Sequence, residues 1–384
     1  LSPQVRAREE RRKKLYEACD LAANFFHNCL LKTSYGKAGL EYLKKRGLTD
    51  ETIEKFRLGF APDGWDRLYK AFRERGIEES ILLELNLIRK NDKGQAYDFF
   101  RNRVMFPIMD GKGRVVGFGG RVMGDAEPKY LNSPETKVFD KSRNLYGLNI
   151  ARTSRKPYLI ICEGYMDVIA MHQAGFNNAV ASLGTALTSG HASLMSRYTK
   201  EVLLTYDSDE AGQKAALRGI PILKAAGIRP RVVNLTPYKD PDEFIKAEGR
   251  ETFEKRLEEA ENAFLFEIRV LEKQYDLSDP ESKTAFFREI ARKLLEFPEE
   301  LERNNYIESL SDIYQIKFED LRKMVNNMAL SAVSSQPRTP RIRETGGKKD
   351  SREDGGRKAQ RLMLTCLPSY PSMFDTIAGY ITPE

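Results

Sequence analysis

From Pro157 to Leu235 the chain alternates short apolar runs with helical ones, and this alternation limits its folding options more than any other feature. "YLIICEG", "NAVASLG", "EVLLTYDSD" and "RPRVVNL" read as buried strands. Between them, "YMDVIAMHQAG", "TSGHASLMSRY" and "EAGQKAALRGIPILKAAG" read as helices, the last carrying an internal Pro221. Strands separated by single helices require right-handed crossovers and a mostly parallel sheet. Sheets of this kind bind ligands outside the carboxyl ends of their strands.

Acidic residues fall at those ends. Glu163 closes the first strand, with Asp167 a helical turn later. "YDSDEAG" supplies Asp207 and Asp209 after the third strand, and "YKDPDEF" supplies Asp240 and Asp242 after the fourth. In extended chain, residues two apart share a face, so each D-x-D points both carboxylates into one crevice. Carboxylates crowded together repel, and some must protonate unless a cation sits among them. Oxygen-only ligands suit Mg²⁺ or Mn²⁺ held together with substrate phosphates. A single D-x-D is more often a helix cap or a loop. The recurrence at three strand ends of one sheet favours a shared metal site, while "DPDEF" also reads as a proline-led helix start.

The flanking segments behave differently. Residues 1–14 form a charged lead-in or linker, and Leu15 to Leu31 shows a helical period with Leu15, Ala18, Ala22, Phe25 and Phe26 on one side. Four short helical patterns follow, and then two β-rich runs around an Asp-Gly turn, "YDFFRNRVMFPIMD" and "RVVGFGGRVM", give a hairpin signal. The glycines of "GKGRVVGFGG" lack the G-x-G-x-x-G spacing of a dinucleotide site and read as turn and close backbone approach. Residues 251–330 are helical throughout and suggest a small bundle. Residues 331–358, rich in Ser, Pro, Gly and charge, read as a disordered linker before a final short helical start at 359–384. The fold class is therefore α/β: a mixed α/β N-terminal lobe over 15–150, a parallel-sheet domain over 151–250, and a C-terminal helical bundle.

Charge is unevenly spread. Residues 1–150 carry 29 Lys and Arg against 21 Asp and Glu, whereas residues 251–330 carry 12 against 19. The basic excess suits the first lobe, not the bundle, to a polyanion. No apolar run approaches the ~20 residues a bilayer span needs. The four cysteines have no CxxC or CxxH spacing, which argues against a zinc site or a disulfide framework and for a reducing, cytoplasmic setting. His27, His172 and His191 are isolated and read as structural or surface residues. The opening "LSPQVRAREERRKK" is neither a secretory signal nor a natural start, so the chain reads as a piece of something longer.

"EGYMDVIA", "YDSDEAGQKAA" and "KDPDEF" resemble the Toprim domain of primases, topoisomerases and some nucleases. With "RNRVMFPIMDGKGRVVGFGGRVM", "PKYLNSPETKVFDKSRNLYGL" and "SLGTALT" in order, residues 15–330 resemble the RNA polymerase core of bacterial DNA primases of the DnaG type. The resemblance implies metal-dependent synthesis of short RNA primers from ribonucleoside triphosphates on single-stranded DNA, at the replisome. It implies Glu163, Asp207 and Asp209 as essential metal-binding acids, with Asp167, Asp240 and Asp242 as accessory ones. It implies Arg101, Arg103, Arg114, Arg121, Lys129 and Lys141, beside Tyr130 and Asn132, as a template and nucleotide groove, with Lys129 and Lys141 the strongest candidates. Zinc is expected only in an N-terminal domain not represented here. A replicative helicase is expected as partner, through a domain whose opening residues are 359–384. Two other readings stay open from the residues alone. The same metal fold cleaves DNA in topoisomerases and nucleases, and a non-enzymatic module would use the acids for a structural cation.

Overall fold

The structure, a computed structural model, describes residues 2–335. The N-terminal lobe opens with a long helix, α1 (Pro3–Lys32), capped by the Ser2 side chain, so most of the charged lead-in is helical. Its apolar period buries Leu15, Ala18, Ala22 and Phe26. Helices α2 (Lys37–Lys45) and α3 (Asp50–Lys55) follow, then β1 (Gly59–Ala61), α4 (Arg67–Glu74), α5 (Glu79–Glu84), β2 (Ile88–Lys90) and β3 (Ala96–Asp98). The expected hairpin is β4 (Arg103–Met109) and β5 (Val115–Val122), and β6 (Tyr130–Asn132) extends it. These strands form an antiparallel sheet in the order β1-β4-β5-β6. Asp110 shapes the hairpin turn by accepting from the Lys112 and Arg114 backbone N–H groups, and Gly113 takes the left-handed conformation that an L side chain resists.

A short helix, α6 (Leu148–Ala151), leads into the parallel unit. This runs β7 (Leu159–Cys162), α7 (Tyr165–Gln173), β8 (Ala179–Ala181), α8 (Ser189–Met195), β9 (Glu201–Leu204), α9 (Glu210–Ala225), β10 (Arg229–Val232) and α10 (Pro241–Glu258). The strand order is β8-β7-β9-β10, all parallel, with β11 (Glu261–Asn262) antiparallel at the edge. The chain goes from β7 to one side and returns to the other for β9. The order therefore reverses between β7 and β9, where a crevice opens at the strand ends.

One continuous helix over 250–275 does not form. Helix α10 kinks at Gly249 and ends at Glu258, β11 pairs with the sheet, and the bundle proper begins with α11 (Ala263–Glu272). It continues with α12 (Pro280–Leu294), α13 (Glu300–Tyr314) and α14 (Phe318–Ser335). The bundle packs around its own core of Phe264, Phe286, Ile290 and Leu310. The first two units share one core instead, with Phe60, Phe106 and Val116 in the same cluster as Ile160, Val168 and Leu203. Burying a phenylalanine stabilises by ~1.5–3 kcal/mol, so this shared core fixes how the basic lobe faces the parallel sheet.

Two residues tighten that joint. The Tyr165 ring stacks on Phe106 at 5.0 Å, and its hydroxyl donates to Asn132 Oδ1 at 2.7 Å. Gly119 makes room for it, because a Cβ there would sit 2.5 Å from the Tyr165 ring. The close-approach reading of the glycine-rich run is met at this position. The expected linker at 331–358 and the helical start at 359–384 lie, apart from the end of α14, outside the described residues.

Candidate active site

Each acid after a strand is fixed by the turn it occupies. Glu163 follows β7, and its Oε1 accepts from the Asp207 backbone N–H at 3.0 Å, so the ends of β7 and β9 are joined directly. Asp167, at the third position of α7, accepts from the Gly164 N–H at 3.1 Å. Asp209 caps α9 by accepting from Gly212 N–H at 2.8 Å, and Asp240 caps α10 by accepting from Glu243 N–H at 2.8 Å. Gly212 is required there, since a Cβ would fall 2.0 Å from the Asp207 carbonyl oxygen. The cap reading is met at Asp209 and Asp240, and Glu163 is joined to the end of β9. One oxygen of each of these four carboxylates bonds a backbone N–H.

The cluster is electrostatically uncomfortable. Burial, followed by the charges of Asp240 and Asp207, pushes Asp167 up to about 7. Burial also raises Glu163, with Asp207 and Asp209 adding to it, although the Asp207 N–H offsets part of the rise. Asp207 is raised by burial, opposed first by Lys239, whose Nζ lies 3.5 Å from its carboxylate. Hard, oxygen-preferring dications are the partners that relieve such crowding, so the donor set fits one. Among the described residues, however, no three acidic, histidine or cysteine side chains are gathered tightly enough to ligate a single ion as they stand.

Glu163, Asp167, Asp207 and Asp240 line a cleft of about 290 Å³, and its opposite wall is basic. Arg121 of β5, with Lys129 and Tyr130 at β6, faces the acids together with Tyr42 of α2, Arg46 just past its end, and Lys239. Arg121 lies 4.3 Å over the Tyr42 ring, which holds the guanidinium flat against the wall. Lys239, Arg46 and Tyr42 were missed from sequence. Lys239 directly precedes Asp240 and was open to inference from that position. Nothing local in "AGLEYLKKRG" marks Tyr42 or Arg46.

The other expected residues do not line this cleft. Asp242 is buried and bonds Arg46 at 3.1 Å and Lys246 at 2.7 Å, so two cations match its carboxylate. Arg103 is buried, and its Nη1 donates to the Gly120, Pro128 and Lys129 carbonyls, which fixes the β5–β6 turn. Arg114 is held by Asp110, at 2.9 and 2.6 Å, and lies over Tyr16, outside the cleft. Arg101 donates to the Asp98 carbonyl and lies 4.3 Å over Trp65, on the lobe's surface. Asn132 donates to the Leu183 carbonyl and accepts from Tyr165, so it positions a loop. Lys141 lies on a turn, its carbonyl meeting His191 Nε2 at 2.7 Å, and does not line the cleft. The histidines are structural: His27 meets the Leu58 carbonyl at 2.7 Å and His172 the Ala179 carbonyl at 2.9 Å.

A parallel sheet with acids gathered at its switch point, faced by a basic antiparallel lobe, defines a Toprim-type α/β unit joined to a second catalytic lobe. Family models agree. Residues 26–152 match the "DNA primase catalytic core, N-terminal domain", 160–245 match "Toprim-like", and 264–319 match the "DnaB-helicase binding domain of primase". The DNA primase of Clostridium acetobutylicum is 42% identical over 329 residues, covering 83% of this chain and 54% of that protein. A DnaG primase catalytic domain solved bound to single-stranded DNA is 39% identical, with a TM-score of 0.68, covering 83% of this chain and 99% of that one. A DNA primase domain from Pseudomonas aeruginosa is 38% identical, with a TM-score of 0.69, covering 81% and 99%. The chain belongs to the DnaG-type bacterial DNA primase family and spans its catalytic core. It covers about half the length of the curated relatives it matches. The helicase-binding match falls on the helices that follow β11, not on 359–384 where the sequence pattern suggests that domain, a stretch outside the described residues. Among the described residues no helix is long and apolar enough to cross a membrane.

Proposed function

We propose that this chain is the polymerising core of a DNA primase, joining ribonucleoside triphosphates into short RNA primers along a single-stranded DNA template in the cytoplasm, at the replication fork. The observation that carries the reading is the bond from the Asp207 N–H to Glu163. It ties the acids of two strand ends into one cleft whose other wall holds Arg121 and Lys129.

In this reading Arg121, Lys129, Arg46 and Lys239 draw the triphosphate into the cleft and offset its charge, with sequence left to base pairing. Tyr130, partly exposed beside Lys129, offers an aromatic edge to the incoming nucleotide. The Asp207 carboxylate, the second oxygens of Glu163 and Asp209, and those of Asp167 and Asp240 beside them, are the ones available to hold divalent cations, Mg²⁺ or Mn²⁺. When bound, such ions lower the pKa of the attacking 3′-hydroxyl and offset charge on the departing pyrophosphate. The template has a sequence-tolerant surface in Trp65, which is 67% exposed, flanked by Arg101 and Tyr97. Exposed aromatics with arginines stack unpaired bases. The helices over 264–319 are the place for a replicative helicase to dock.

The test is incorporation of labelled ribonucleotides on a single-stranded template with Mg²⁺ or Mn²⁺, with and without chelator. Chelator-sensitive short RNA products are expected. Relaxation of supercoiled DNA without nucleotides, in place of synthesis, would overturn the reading.

A further inference from the structure

Glu163 is a wall between two clefts, not the floor of one. On one side lies the cleft shared with Arg121 and Lys129; on the other a second cleft of about 270 Å³ opens between the loop 182–188 and α9. Ser182, Thr185, Leu187, Tyr206, Arg218 and Gly219 line it. Its walls are mostly apolar, with hydroxyls on the loop and a guanidinium from the helix.

This second cleft is built before any ligand arrives. Asn132 donates to the Leu183 carbonyl at 3.1 Å, and Thr188 Oγ1 donates to the Ser142 carbonyl at 2.8 Å, so both ends of the loop are tied to the first lobe. Gly184 has φ +69°, and a Cβ there would lie 2.6 Å from Asn132 Nδ2, which locks the loop against β6. Arg218 is exposed and has no carboxylate or carbonyl partner among the described residues. Of the cations in the first cleft, Lys239 meets Asp207 and Arg46 meets Asp242.

Resting on the primer-synthesis reading, we propose that this second cleft holds the ribose and 5′-phosphate of the nucleotide that supplies the 3′-hydroxyl, with Arg218 as the positioning residue for that phosphate. Joining two nucleotides requires two sugar–phosphate sites flanking one set of acids, and Glu163 separates two such spaces. The side with Arg121, Lys129, Arg46 and Lys239 has the cation density for a triphosphate. The Arg218 side has a single cation, apolar walls for a sugar face, and hydroxyls from Ser182 and Thr185 for sugar hydroxyls. The base of this nucleotide stays outside, free to pair with template. The 3′-oxygen then bonds the α-phosphorus of the neighbouring triphosphate as the bond to pyrophosphate breaks; pyrophosphate leaves with the electron pair, and the hydroxyl proton passes to solvent.

The experiment compares adenosine and AMP as 5′ partners in dinucleotide synthesis on a dT-containing single strand, in wild type and in Arg218→Ala. In wild type AMP is expected to start synthesis at a KM ~10-fold or more below that of adenosine, since a charge-assisted phosphate contact is worth that much. Arg218→Ala should raise the AMP value to the adenosine value and leave the adenosine value and the KM of the incoming triphosphate unchanged. Arg218→Lys should recover part of the difference. Equal effects on AMP and adenosine, or an effect confined to the incoming triphosphate, would overturn the assignment. If wild type makes no dinucleotide at all, the primer-synthesis reading fails instead. Equilibrium dialysis of AMP then judges the cleft by itself: weaker binding by Arg218→Ala supports it, and equal binding overturns it.

Discussion

The chain carries two D-x-D pairs after strands of one sheet; Asp240 of the second joins the cleft acids, but Asp207 of the first and Asp242 of the second sit in opposite surroundings. After β9, Asp207 faces Glu163 and other acids, with a single lysine at 3.5 Å, and burial raises its pKa. After β10, Asp242 is buried, yet Arg46 at the end of α2 and Lys246 one turn along α10 match its charge. The spacing and residue types are the same. What differs is the supply of cations from elsewhere in the fold. A carboxylate left short of cations inside protein costs stability and is ready for a metal; one already supplied is part of the scaffold.

Asp207→Ala makes the sharpest break. Primer synthesis should fall by ~10³-fold or more, the scale on which removing one essential electrostatic group acts. Binding of single-stranded DNA and the melting temperature should hold, because the substitution removes a crowded charge and no packing. If melting drops while synthesis persists, Asp207 belongs with Asp242 and the contrast fails.

A pH series probes a group outside both pairs. His172 is buried; its Nε2–H donates to the Ala179 carbonyl, and Nδ1 has no partner among the described residues. Burial lowers its pKa from 6.5 to about 4. A depressed value means the unfolded chain takes up the proton first. The stability it contributes is whole above pH 6.5 and is lost as pH falls through about 4. Denaturant unfolding should lose up to ~3 kcal/mol over that window, and His172→Gln should flatten the slope. An unchanged slope would show that the ring is not held neutral.

Asp242→Ala should cost ~1–2 kcal/mol in the same unfolding measurement, less than a fully buried pair because Arg46 and Lys246 reach solvent when released. Its effect on synthesis should be small, limited to the loss of a well-placed Arg46 in the cleft wall. Loss of activity to the level of Asp207→Ala, with stability intact, would return Asp242 to the metal-binding set.

The parallel unit was legible in the sequence because its signals are local. Strand runs, helical periods and acids at strand ends all lie within ~10-residue windows, and Glu163, Asp167, Asp207 and Asp240 do gather in one cleft. Basic residues were less legible. Arg121 and Lys129 reach the cleft, but Arg103, no different in type and two residues after Arg101, turns inward to three carbonyls. Strand alternation says which face a residue takes, not whether that face meets solvent or the underside of a turn. Tyr42 comes from α2 and Arg46 from its C-terminal cap, and the core shared by the two lobes brings them to the acids. The β11 edge strand was invisible because two residues carry no periodicity.

Lys239 gives the smallest expected effect and the finest discrimination. It is the cation nearest Asp207, mostly exposed, and so its ion pair is worth little to folding, ~0–1 kcal/mol. Lys239→Ala should therefore leave denaturant unfolding almost unchanged. It should still alter function in two opposed ways. Removing a positive charge beside Asp207 strengthens the attraction of the acids for a dication, so half-maximal activity should come at lower Mg²⁺. The same loss weakens the pull on a triphosphate, so the nucleotide KM should rise. A scaffold lysine, like Lys246 beside Asp242, would give neither shift. Titrating Mg²⁺ and nucleotide separately in this one variant therefore asks whether the charge shortage at β9 is functional or incidental, and movement of both midpoints in the same direction would rule out the role assigned to Lys239.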